Sequence, residues 1–144
     1  MTEHLTRLAD LAASFTSPKD ISTDELGFTV DVAGVPLTFF VPDGFAASAY
    51  CRALVASLDK AALPGKFAEA ALRGNFFWRA TNGATISLNE SENAIYLTDR
   101  FDEAAFEDSQ ALSAYIDEFL TVLRSWKNRL DACLPPADTK EARP

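Results

Sequence analysis

The sequence predicts an α+β fold, with amphipathic helices set against antiparallel strands in a single domain. Three observations predict it. Two alternating segments flank Ala33-Gly34 and put apolar opposite apolar on one face. A second pair of short alternating segments lies at 84–88 and 94–98. Near the end, Leu112, Ile116, Phe119, Leu123, Trp126 and Leu130 recur at the three-and-four spacing of one helical face. The chain has 144 residues, close to the roughly 150 of one domain. Residues 1–134 are expected to form that domain, with a disordered tail at 135–144.

Composition narrows the function. Thirteen basic against 21 acidic residues give a net charge of −8, with 48% hydrophobic and 24% charged residues. That balance is an ordinary globule, and its acidic surface repels phosphate, so neither nucleic acid nor anionic membrane is an expected partner. No apolar run approaches the roughly 20 residues of a membrane span. The start, Met1-Thr2-Glu3-His4, is not basic, and Asp10 interrupts the apolar stretch behind it. No signal peptide is therefore read, and a cytoplasmic location is expected.

Cys51 and Cys133 stand apart, with no Cys-x-x-Cys and no Cys/His cluster. They read as small hydrophobes in a reducing compartment, and neither a metal nor any other cofactor is expected. The single histidine, His4, lies in the first turn, where a general base has no fixed position. No Gly-x-Gly-x-x-Gly, phosphate loop or EF-hand loop is present. The chain is not expected to be an enzyme.

Residues 2–15 read as a helix that Thr2 can cap. Leu5, Leu8, Ala12 and Phe15 share its apolar face, Leu11 widens the stripe, and Arg7 and Asp10 face away. Ser17-Pro18 ends it. In the hairpin, pairing outward from the two-residue turn sets Val32 against Val35, Val30 against Leu37, Phe28 against Phe39 and Leu26 against Val41. Asp31 faces Pro36 and Thr29 faces Thr38 on the other side, so register and face agree.

Residues 49–58 are ambiguous. Tyr50, Leu54 and Leu58 suit a helix; Tyr50, Arg52, Leu54, Ala56 and Leu58 suit a strand face. After Leu63-Pro64, a helix is expected from 65 to 75, with Phe67, Ala71 and Leu72 on its apolar side and Gly74-Asn75 as its stop. The aromatic run Phe76-Phe77-Trp78 follows. Strands are expected at 84–88 (Ala84, Ile86, Leu88) and at 94–98 (Ile95, Leu97). Asn89-Glu90-Ser91 matches a glycosylation triplet but has no secretion signal to support it. Asp102, Glu103, Glu107 and Asp108 precede or open the final helix and Arg124, Lys127 and Arg129 close it, which complements its dipole without any acid–base site. Leu134-Pro135-Pro136 ends it.

The order of these segments carries more than any one of them. Leu72-Arg73-Gly74-Asn75-Phe76-Phe77 is followed by Gly83-Ala84-Thr85-Ile86-Ser87-Leu88 and then Ile95-Tyr96-Leu97. A helix reading Leu112, Ile116, Phe119-Leu120, Trp126 and Leu130 comes last. Over residues 2–132 this resembles the class I chaperones of bacterial type III secretion systems, the Tir chaperone (CesT-like) family. The resemblance implies an α-β-β-β-α-β-β-α order, with a twisted antiparallel sheet packed against helices and 49–58 as its third strand. It implies a cytoplasmic homodimer without catalytic activity that holds the unfolded N-terminal segment of a secreted effector protein. YbjN-like regulatory proteins of the same superfold are similar too, and they imply instead an adaptor that binds a protein partner.

A binding role needs apolar groups facing outward. The terminal helix has an unusually wide stripe, and Phe40 lies on the polar face of the hairpin. Leu5, Leu8, Leu11, Phe15 and Phe40 are therefore the expected effector-binding residues. Phe76, Phe77 and Trp78 are contiguous and cannot all face one core. With Ile86 and Leu88 of the adjacent strand, they are the expected dimer interface, a region the resemblance places near the two-fold axis. Each feature has a plainer reading: isolated exposed aromatics are common, and a contiguous trio can be buried between elements.

Overall fold

The computed structural model describes residues 3–42, 48–102 and 105–134. Thr2, Glu103 and the tail from 135 lie outside them. Among the described residues the order is α1 (Glu3–Ala13), a 3₁₀ turn (Pro18–Asp20), β1 (Ile21–Thr23), β2 (Gly27–Val32), β3 (Val35–Phe40) and β4 (Ser48–Ser57). There follow α2 (Gly65–Asn75), a second 3₁₀ turn (Phe76–Trp78), β5 (Thr85–Asn89), β6 (Ala94–Asp102) and α3 (Ser109–Cys133). The strands form one antiparallel sheet in the order β1-β2-β3-β4-β6-β5. The fold is α+β, as expected.

The first hairpin has the expected register, Val32 against Val35, Val30 against Leu37 and Phe28 against Phe39. Ala33 and Gly34 both take positive φ, 53° and 83°, the backbone that matches the twist of the strands they join. Asp31 Oδ1 accepts from Gly34 N at 2.9 Å and locks the turn. Leu26 departs from expectation. It precedes β2 in a turn where Asp24 Oδ1 accepts from Leu26 N and Gly27 N, and its side chain is exposed. That turn connects β2 to β1, a three-residue strand outside the expected set. Ile21-Ser22-Thr23 is too short to show an alternation of its own.

The ambiguous segment is the strand β4, ten residues long. Its buried face is Ala49, Cys51, Ala53 and Val55, opposite the one carrying Tyr50, Arg52 and Leu54. A bulge at Val55 shifts its register against β6, so that Leu54 pairs Tyr96 and Ala56 pairs Ile95.

The core lies between one face of the sheet and the helices. Phe28, Val30, Leu37, Phe39, Cys51, Ile95 and Leu97 meet Leu5, Leu8 and Ala12 of α1 and all six stripe residues of α3, with Leu120. Asp108 caps α3, its side chain accepting from Ala111 N at 2.8 Å. The helix runs on to Cys133, so the expected basic residues fall before its last turn. Arg7 donates to the carbonyls of Phe106 and Glu107, both at 2.6 Å, and ties α1 to the approach to α3.

Trp126 joins α3 to α2. Its indole N–H donates to Ala80 O at 2.9 Å, and its ring meets Phe67 edge-on at 5.8 Å. Gly74 of α2 lies flat against it: a Cβ there would stand 2.6 Å from the Trp126 ring.

Candidate protein-binding surfaces

Only one face of the sheet is covered by α1 and α3, and the site residues fall on three surfaces around this core. The first is the end of α1. Leu5 and Leu8 are fully buried, which corrects their assignment to a contact surface: they seal α1 onto β2 and α3. Leu11 is half-buried. Phe15 lies past the end of the helix and is 38% exposed. The accessible part of the stripe is therefore Leu11 and Phe15.

The second surface is the open face of the sheet. Phe40 is half-buried and stacks on Tyr50 with ring centroids 5.5 Å apart. The Arg52 guanidinium lies 5.3 Å from the Phe40 ring and 4.9 Å from that of Tyr96. Phe40 is thus part of a cross-strand row of rings with a cation held between two of them, which holds these side chains in place. Leu54 stands exposed on the same face. An open groove of about 470 Å³ continues past Tyr50 and Arg100 to Trp78. The strand face that the sequence offers, Tyr50, Arg52 and Leu54, is thus the outer one. The core side of β4 is written in alanine and cysteine, whose small side chains give little periodic signal.

The third surface surrounds the end of α2. Phe76, Phe77 and Trp78 are all more than half exposed. Phe77 and Trp78 take positive φ, 50° and 56°. Left-handed backbone costs a non-glycine residue about 1–2 kcal/mol, so two consecutive aromatics are held outward at an energetic disadvantage. The turn is pinned from below, where Ala80 N donates to Gly74 O at 3.2 Å. Leu72, expected on the apolar side of α2, is instead 76% exposed. It borders an apolar pocket of about 220 Å³ that runs between Phe67 and Ala71 of α2 and Ile86 and Leu88 of β5. Ile86 is buried at its floor and Leu88 is 43% exposed at its rim. The structure thus places Leu72 and Leu88 at the pocket on the α2 side of β5 with Ile86 at its floor, and turns Trp78 to the other side of that strand, where it borders the open-face groove with Thr85 and Ser87.

Little here is equipped for proton or metal chemistry. His4 is exposed on α1. Among the described residues no group of three or more His, Cys, Asp or Glu stands together. Burial pushes the Cys51 thiol well up, assisted by the Asp99 charge. Tyr115 is raised by burial first, while its hydroxyl donates to Asp99 Oδ2 at 2.6 Å. Both are core groups held neutral. No helix among the described residues is long and apolar enough to cross a membrane.

Comparison with known proteins gives one consistent picture. The chain's fold is similar to that in three complexes, each known from a solved structure. The ExsC-ExsE complex matches at TM-score 0.65 and 18% identity, over 88% of this chain and 95% of that one. The HopA1-SchA chaperone–effector complex matches at 0.60 and 16%, over 85% and 91%. The heterodimeric ExoU-SpcU complex from the type III secretion system of Pseudomonas aeruginosa matches at 0.59 and 14%, over 90% and 97%. At such identities the likeness is one of fold. No curated protein matches the chain. At the level of families, residues 46–127, more than half of the chain, match the Tir chaperone protein (CesT) family. That span takes in β4, β5 and β6, the strained aromatic turn and the Trp126 anchor, and the chain belongs to the Tir chaperone protein (CesT) family.

Proposed function

We propose that this protein is a cytoplasmic, non-enzymatic chaperone of type III secretion. It binds the N-terminal segment of a secreted effector in an unfolded, extended form and keeps it soluble for export. The single observation that carries this reading is the set of apolar side chains held outward on a rigid frame: Leu72, Phe76, Phe77, Trp78 and Leu88 at one end, and the Phe40 row on the open sheet face. Similarity of fold to the HopA1-SchA complex, a chaperone with its effector, supports the same reading.

The two kinds of surface divide the work. The strained trio, with Leu72 and Leu88 on the neighbouring α2–β5 pocket, makes the end of the molecule that a second copy covers with the same end of itself, as a two-fold contact requires. The effector segment lies across Leu11, Phe15 and Phe40. Ordering an unfolded segment offsets much of its contact energy, so affinity is spread over several patches. Because those contacts are apolar, salt weakens binding little.

Titration of the effector's N-terminal segment against variants tests this assignment. Leu11→Asp and Phe40→Asp each place a charge where an apolar contact forms, and each is expected to weaken binding about tenfold or more while circular dichroism shows the fold intact. Wild-type affinity in both folded variants would move the binding surface elsewhere.

A further inference from the structure

The sheet has two edges, β1 and β5, and they are not equivalent. At β5 the side chain of Asn75, the last residue of α2, reaches across to Ile86. Its Nδ2 donates to Ile86 O at 2.9 Å, and its Oδ1 accepts from Ile86 N at 3.0 Å. A carboxamide carries one donor and one acceptor side by side, the same complement that a residue of a neighbouring strand offers. We propose that Asn75 locks the β5 edge: it takes the outward N–H and C=O of Ile86, the mid-strand pair that an added strand would use, so polypeptide meets this edge through side chains and the sheet does not extend there.

The surroundings show why a lock matters. An unpaired edge beside exposed apolar groups is a template for uncontrolled strand pairing, and β5 lies beside Leu72 and Leu88, both exposed. In the proposed dimer this is where a second copy arrives, and the occupant the lock excludes is the β5 edge of a further copy. The inference rests on the dimer reading for the identity of that occupant; the lock itself does not. Without it, the two open β5 edges of a dimer would each pair with the β5 of a further copy, and the sheets would extend into larger assemblies. With it, the copies meet through Leu72, Leu88 and the aromatic turn, and strand addition is left to β1 at the far edge.

The test uses the full chain with Asn75→Ala. Asn75 sits at φ −72°, ψ −17°, helical values that alanine adopts freely. The exchange rate of the Ile86 amide, read by NMR in solution dilute enough that the variant has the wild-type mass, is expected to rise about tenfold, the effect of one net hydrogen bond. The light-scattering mass is expected to exceed that of the wild type and to grow with concentration. Adding Thr85→Lys, a charge on the opened edge, is expected to return the mass to the wild-type value. Unchanged Ile86 exchange overturns the proposal, and so does an unchanged mass once exchange has risen. If Asn75→Ala fails to fold, Asn75→Ser, whose side chain is too short to span to Ile86, takes the same measurements with the same overturning results. Every comparison is with wild type at equal concentration. A monomeric wild type would therefore overturn the dimer reading and leave the lock still decided by these measurements.

Discussion

Cys51 illustrates how a residue can be read correctly for its environment and still mislead about the element that carries it. As a lone cysteine in an acidic chain it reads as a core residue, and it is fully buried. Yet its small size, with that of Ala49 and Ala53, hides which face of β4 is the inner one. Burial also sets its chemistry. The thiol is raised above its ordinary 9.0, and the Tyr115 hydroxyl above its ordinary 10.0. In alkaline solution both stay protonated in the folded chain while the unfolded chain releases its protons. The folded state then binds more protons, so the contribution of these two groups is fully present below about pH 9 and is lost as pH rises past it, with Tyr96, raised by its bond to Glu92, adding to the fall. Urea unfolding from about pH 7 to about pH 11 is expected to show that fall. Tyr115→Phe lowers stability at neutral pH by removing the bond to Asp99, but it flattens the slope above pH 10, the ordinary tyrosine value. An unchanged slope in the variant would contradict this linkage.

Among the elements, legibility followed side-chain size and length. The first hairpin was legible to the residue around its turn because its inner pairs are large and apolar and the turn requires positive φ. The α3 stripe was legible because six large residues hold one period over a long helix. The strand β1 was not, since three residues carry no period. The exposure of Leu72 was not either: a leucine at a helical spacing looks the same whether it faces the core or a neighbouring molecule. The wide stripe of α1 misled in the other direction, because Leu5 and Leu8 are spent on the fold. At the junction of α2 and α3, Gly74 lets Trp126 close on the helix. Gly74→Ala would push a Cβ into that ring and is expected to lose about 1–3 kcal/mol in urea unfolding. A variant as stable as the wild type would show that the two helices are free to separate.

For the whole molecule, the central point is a division of faces. One face of the sheet is sealed by α1 and α3, and the other keeps a fixed row of rings and an open groove. The end near α2 and β5 carries strained, exposed aromatics. The family was legible from the order of weak patterns, while the exposure of the candidate surface residues was only half legible, because it depends on which face of each element the fold turns inward. The most direct test is light scattering of this protein co-expressed with the N-terminal segment of a type III secreted effector. A mass near twice 15.7 kDa is expected for the protein alone, together with a stable complex that keeps the segment soluble. A protein that stays monomeric, or a segment that elutes apart from it, would contradict the proposed chaperone dimer.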